Sequence, residues 1–172
     1  MNLVEFQRLS KRTMPFNGEP QNPIEFENML GNYAMGLLGE AVELLEAKVN
    51  GDKEIIKEIG DVCHYAVGIA MITKNDLPNK PMLLSESLSC VFNRLLFASK
   101  EISEQAKKHI YHRHTLDISP MYISVIFDCL YTLMDYYSPK GDALQMNIDK
   151  LKTRYPDKFN VEDSIARKDV QA

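Results

Sequence analysis

The chain has 172 residues, of which 45% are hydrophobic and 26% are charged, and its net charge is −4. This length suits one domain with a buried core, and the composition is typical of a globular protein rather than a disordered or fibrous one. Acidic residues outnumber basic ones by 24 to 20. The chain as a whole therefore does not attract nucleic acid or an anionic membrane, and we expect neither as a partner.

The N-terminal sequence and the cysteines favour a cytoplasmic protein. Residues 1–13 contain no apolar stretch of signal-peptide length, and the apolar run at residues 66–72 is too short to cross a membrane. Three widely separated cysteines, Cys63, Cys90 and Cys129, lie in apolar helical contexts. We expect reduced core thiols, because this spacing suits neither a disulfide framework nor a zinc site.

Apolar residues recur at helical spacing along the whole chain, which predicts an all-α fold. Proline- and glycine-bearing segments separate the helices, with Asp52 as the expected cap of the third one. The charged tail, residues 157–172, is expected on the surface. The predicted helices span residues 3–13, 24–49, 52–74, 82–108, 121–137 and 141–154.

These helices predict a bundle of antiparallel helical hairpins within a single domain, residues 1–172. The first hairpin covers residues 27–74, the second residues 82–137, and a C-terminal helix and tail cover residues 141–172. The second hairpin faintly repeats the acidic pattern of the first, with Val125 where the first has Glu58. We interpret it as a degenerate, structural repeat, with chance similarity between two amphipathic hairpins as the alternative.

The first hairpin carries two acidic pairs, Glu40 with Glu43 and Glu58 with Asp61, on either side of a turn at Asn50-Gly51. Residues three apart share a helix face. If the chain folds back at Asn50, Glu40 lies opposite Asp61 and Glu43 opposite Glu58. The sequence therefore predicts that all four carboxylates converge on one patch.

Four converging carboxylates repel one another unless a cation neutralises them, and an all-oxygen set favours a hard ion, Mg²⁺ or Mn²⁺. We therefore predict a metal site at Glu40, Glu43, Glu58 and Asp61. The alternative is a solvated helix face on which glutamates pair with lysines, since Lys48, Lys53 and Lys57 are nearby.

The acidic pairs and the C-terminal sequence together resemble a known family. The similar segments are Gly39-Glu40-x-x-Glu43, Glu58-Ile-Gly-Asp61 followed by Tyr65, and Asn147-Ile-x-Lys150-Leu-x-x-Arg154-Tyr155-Pro156-x-x-Phe159. They resemble the MazG-like nucleoside triphosphate pyrophosphohydrolases, an all-α superfamily that includes dimeric dUTPases and dCTP pyrophosphatases. The likeness covers about the first 75 residues and the last 30 or so; the hairpin between them lengthens the chain relative to compact members.

The resemblance implies Mg²⁺-dependent hydrolysis of a nucleoside or deoxynucleoside triphosphate to the monophosphate and pyrophosphate. It implies that the four acidic residues hold the metal and act in catalysis, and that a homo-oligomer forms, with a dimer favoured. Asn147, Lys150 and Arg154 are the candidates for substrate contacts, with the two cations near the outer phosphates. Tyr65 is the candidate for stacking on or hydrogen bonding to the nucleoside. The sequence contains no base-specific motif.

Two other functions are compatible with a helical bundle. His64 follows Asp61 by three residues, which suggests a di-iron carboxylate site, but such bundles need a second Glu-x-x-His and the chain has none. The other is a catalytically silent interaction module, against which the four intact acidic residues weigh.

The basic tract Lys107 to His114 is expected to be a solvated loop between helices.

Overall fold

The structure is a computed structural model that describes residues 1–51, 54–167 and 169–170. Within this part of the chain it is entirely helical and contains no strand, which confirms the predicted all-α class. The helices are α1 Leu3–Lys11, α2 Pro23–Asn50, α3 Ile55–Ile72, α4 Leu88–His112, α5 Pro120–Tyr137, α6 Ala143–Arg154 and α7 Val161–Ala166, with short 3₁₀ turns at Pro15–Gly18 and Ser138–Lys140.

The long helix α2 has clear start and stop signals. The Asn22 side chain accepts a hydrogen bond from the Glu25 amide, and Pro23 occupies the first turn, where its missing N–H costs nothing. At the other end Gly51 takes the left-handed conformation, with φ of 66°, which reverses the chain. The predicted cap of α3, Asp52, lies outside the described residues.

Two glycine–tyrosine contacts set the alignment of α2 against α3. A Cβ atom at Gly68 would lie 2.1 Å from the Tyr33 ring, and one at Gly36 would lie 2.2 Å from the Tyr65 ring. Only glycine permits these approaches, so each tyrosine lies over a glycine of the facing helix. The resulting antiparallel register is the one that the sequence predicted for the two acidic pairs.

The second hairpin begins later than predicted. A helix was expected from residue 82, but α4 starts at Leu88, with the Ser87 hydroxyl accepting from the Cys90 amide. The preceding segment runs along α5: the Met82 amide donates to the Asp128 carboxylate at 2.7 Å and the Leu84 amide to the Thr132 hydroxyl at 2.9 Å. Because these contacts are tertiary, helical spacing alone does not reveal them.

The acidic residues of the second hairpin each have another partner. Glu101 pairs with Lys100 and Glu104 pairs with Lys107, while Asp128 receives the Met82 amide. Among the described residues these three form no carboxylate group that could hold a metal. The repeat itself stays a prediction, but this hairpin has a structural role.

The core is formed by apolar residues that recur at helical spacing. Leu37 and Leu44 of α2 and Ile59 and Ala66 of α3 are fully buried, and α4 to α6 complete the core.

Cys63 and Cys129 are buried as expected, but the prediction that all three cysteines are core thiols is wrong. Cys90 is exposed because it lies in the first turn of α4, at the end of the bundle. None of the helices in the described ranges combines the length and apolarity needed to cross a membrane.

The C-terminal segment is more ordered than the sequence indicated. The Phe159 amide donates to the Arg12 carbonyl, and the Arg12 guanidinium donates to the carbonyls of Tyr155, Pro156 and Asp157. These bonds hold the chain beyond α6 against α1. Helix α7, which was not predicted, has no buried residue. The predicted surface position of the tail is therefore confirmed for α7. It is wrong for the Asp169 side chain, which is only 3% exposed.

We expect Gly68→Ala to destabilise the protein by about 1–3 kcal/mol, because the Tyr33 ring is buried and cannot move aside for the methyl group. Gly39→Ala is the matched control. Gly39 also lies in a helix, but no atom stands within 4 Å of the place that an alanine methyl group would take, so alanine there should stabilise by about 0.5–1 kcal/mol. Urea unfolding of the two variants measures both effects, and equal stability of the two would contradict the proposed role of the glycine contact.

Candidate active site

A pocket of about 380 Å³ lies where α2, α3 and α6 meet, with α7 at its edge. It forms because α6 packs closely on α3: a Cβ atom at Gly60 would lie 2.5 Å from the Ala143 carbonyl oxygen, so only glycine allows this approach. All eight site residues predicted from the sequence line the pocket, namely Glu40, Glu43, Glu58, Asp61, Tyr65, Asn147, Lys150 and Arg154.

Three of the four predicted metal ligands form one group. Glu40, Glu43 and Glu58 each offer a carboxylate oxygen, and these oxygens lie within 4.8 Å of one another. Glu43 is exposed, while Glu40 and Glu58 are half-buried. Oxygens gathered at this distance from both arms of the hairpin can share one hard divalent cation.

The crowding of negative charge changes the protonation of the group. Burial raises the pKa of Glu40 to about 7, and the charges of Asp61 and Glu43 act in the same direction. Burial, and then the Asp61 charge, also raise the pKa of Glu58. Glu40 thus loses its proton only near neutral pH, and a bound cation would displace that proton at lower pH.

Asp61 lies beside this group but is already bound by the protein. It is 6% exposed, and its carboxylate accepts from Asn147 Nδ2 at 2.6 Å and from Lys150 Nζ at 2.5 Å. A buried carboxylate needs such partners, because an unpaired one is costly to desolvate. Asn147 and Lys150, the predicted substrate contacts, thus both bind Asp61 in this structure, and their contact with a substrate stays a prediction.

Arg154 also has an acidic partner that the sequence analysis missed. Its Nε and Nη2 atoms donate to the two carboxylate oxygens of Asp169, at 2.7 and 2.6 Å. Arg167 approaches the same carboxylate, with Nε at 3.9 Å. The local sequence does not indicate this pairing, because it is the packing of the helices that brings the tail to the pocket.

Three aromatic rings form one wall of the pocket. The ring centres of Tyr33, His64 and Tyr65 lie between 5.4 and 5.8 Å apart. Burial lowers the pKa of His64 to about 4, so its ring is neutral at pH 7, and its Nδ1 atom has no hydrogen-bond partner among the described residues. His64 belongs to this wall and not to the three-glutamate group, an arrangement that does not favour a di-iron site.

Other pocket residues were absent from the sequence predictions. Tyr33 lies two helical turns before Glu40 on the same face of α2, so helix periodicity could have identified it. Asn32, next to Tyr33 in α2, also lines the pocket. Thr13 and Arg167 do so too, but they come from segments whose position depends on how the helices pack.

Comparisons of the chain with protein families, with curated proteins and with solved structures found no match.

We expect the stability of the metal-free protein to fall as pH rises from about 4.5 to about 7, because folding holds a proton on Glu40 that the unfolded chain releases earlier. Glu40 is partly solvated, so solvent screening limits the effect to on the order of 1 kcal/mol. Urea unfolding between pH 5 and pH 8 should show this slope, and Glu40→Gln should flatten it. An equal slope in both proteins would exclude Glu40 as its source.

We expect Lys150→Met to cost about 2–3 kcal/mol, because it leaves the buried Asp61 carboxylate without its cation. Adding Asp61→Asn should recover about half of that loss, since the amide is neutral and needs no cation. A double-mutant cycle by chemical unfolding checks this coupling. Strictly additive losses would mean that the two side chains do not interact in solution.

Proposed function

We propose that this protein hydrolyses a nucleoside or deoxynucleoside triphosphate to the monophosphate and pyrophosphate, with Mg²⁺ as cofactor. The observation that carries the proposal is the convergence of three glutamate carboxylates, from both arms of one hairpin, in a pocket that also contains cationic side chains. The resemblance of the acidic pairs and of the C-terminal sequence to MazG-like pyrophosphohydrolases supports it.

The donor set fits Mg²⁺ and, as the alternative, Mn²⁺. It consists of carboxylate oxygens with no thiolate or imidazole in the group, and one of its members is exposed to solvent. Glu40, Glu43 and Glu58 would hold the ion, with Asp61 as the fourth predicted ligand. When bound, Mg²⁺ supplies charge neutralisation at phosphate oxygens and Lewis-acid activation.

The protein's own side chains would orient the reactants. A water attacks the α-phosphorus, the bond from that phosphorus to the α,β-bridging oxygen breaks, and pyrophosphate leaves. A carboxylate of the group, Glu43 in our hypothesis, positions the water and accepts its proton. Lys150 holds the Asp61 carboxylate, and its predicted contact with an outer phosphate would need an exchange of this partner.

The remaining assignments are the substrate contacts that the resemblance implies. Tyr65 lies at the aromatic wall, where a nucleoside could stack or hydrogen bond. We assign Arg154 to the outer phosphates, since a guanidinium suits two-point contacts with them.

Homo-oligomerisation, with a dimer favoured, belongs to the same proposal, and size-exclusion chromatography with light scattering tests it.

A catalytically silent interaction module is the second candidate. The uncompensated negative charge of the glutamate group argues against it, because a protein that needed only the bundle would gain stability by replacing Glu40 or Glu58. A screen of nucleoside and deoxynucleoside triphosphates with Mg²⁺, detecting pyrophosphate and monophosphate, separates the two candidates.

We expect Glu43→Gln and Glu58→Gln each to reduce Mg²⁺-dependent pyrophosphate release at least about 100-fold, because each removes a charged ligand of the ion. Glu46→Gln is the matched control: Glu46 is exposed on the same helix and lies outside the group, so activity should be unchanged. Circular dichroism should show all three variants folded. Full activity in both site variants would refute the assignment.

A further inference from the structure

The C-terminal segment places an acidic side chain against a cation of the pocket. Both carboxylate oxygens of Asp169 accept from the Arg154 guanidinium, and Arg167 approaches the same carboxylate. Arg154 and Arg167 both line the pocket that contains the three glutamates. The Asp169 side chain is 3% exposed, so the pair is shielded from solvent.

The segment that carries Asp169 follows helix α7, which buries little apolar surface. Helix α7 has no buried residue, and its apolar side chains Val161 and Ile165 are 61% and 78% exposed. Burial of apolar surface therefore contributes little to holding it in place. The two-point pair with Arg154 holds residue 169 at the pocket.

We propose that Arg154 and Arg167 form an anion subsite for a phosphate group, and that Asp169 occupies this subsite until a phosphate-bearing ligand displaces it. The proposal deepens the proposed function, on which it rests, because it adds Arg167 to the phosphate contact assigned to Arg154 and adds a competitor from the chain itself.

The chemistry of the two anions supports this exchange. A guanidinium makes the same parallel two-point contact with a carboxylate as with a phosphate, and a phosphate carries more negative charge and more acceptor oxygens. While Asp169 is bound, the apparent affinity for a phosphate ligand is reduced by the fraction of molecules in which the subsite is open. A phosphate ligand must therefore reach a concentration high enough to displace Asp169 before it occupies the subsite.

Inorganic tripolyphosphate tests the subsite without a nucleoside. Isothermal titration calorimetry in EDTA, with the full chain, keeps the glutamate group free of metal and excludes hydrolysis. We expect Asp169→Asn to bind tripolyphosphate about 10-fold more tightly than the unaltered protein, because the amide competes poorly for Arg154. Asp157→Asn, an exposed position in the same segment, removes the same charge and should leave the affinity unchanged.

The same substitution in a variant that lacks Arg154 separates exchange at Arg154 from other effects. With Arg154→Gln present, the gain from Asp169→Asn should shrink, because only Arg167 remains to be freed. The proposal is overturned if Asp169→Asn binds no more tightly than the unaltered protein, if Asp157→Asn gives the same gain, or if the full gain persists without Arg154. Weaker binding by Asp169→Asn would also overturn it and would show instead that Asp169 positions Arg154.

The outcome is independent of catalysis. A 10-fold gain in tripolyphosphate affinity supports the subsite even if no nucleoside triphosphate is hydrolysed. Conversely, Mg²⁺-dependent pyrophosphate release with no gain in affinity would leave the proposed function standing and remove this inference alone.

Discussion

The close packing of α2 against α3 is the constraint on which the rest of the structure depends. Tyr33 lies over Gly68 and Tyr65 over Gly36, and no larger residue fits at either glycine. These contacts fix how far one helix can slide along the other. Sliding by one turn would move Glu58 about 5.4 Å along its partner and separate it from Glu40 and Glu43. The glutamate group is thus held together by apolar packing, against its own repulsion.

The electrostatic arrangement divides the four acids into two kinds. Asp61 is buried and balanced by Lys150 and Asn147, so it behaves as an internal ion pair that also ties α6 to α3. Glu40 and Glu58 have raised pKa values because burial and neighbouring carboxylates are not offset by an equal positive charge. Such an excess of negative charge is poorly explained by stability alone, and this is our reason for proposing a cation there.

The positive charges of Lys150 and Arg154, in contrast, are balanced, since each side chain is already paired with an acidic side chain. Lys150 is held by Asp61 and Arg154 by Asp169. An anionic ligand would therefore have to exchange with a partner rather than meet an open charge. This exchange is most feasible at Arg154, because its partner belongs to a segment with little buried apolar surface, whereas Asp61 lies on a core helix.

The sequence by itself determined the all-α class, the apolar core positions and the acidic faces, because helical periodicity is local: Leu37 and Ile59, which recur at helical spacing, are buried, and Glu40 lies in the glutamate group. It also identified eight residues that the fold brings into one pocket. Only the tertiary structure decided what those residues contact. Three contacts depend on how separate segments pack: residues 82–87 lie along α5, Lys150 pairs with Asp61, and Asp169 pairs with Arg154. No local sequence pattern encodes such contacts.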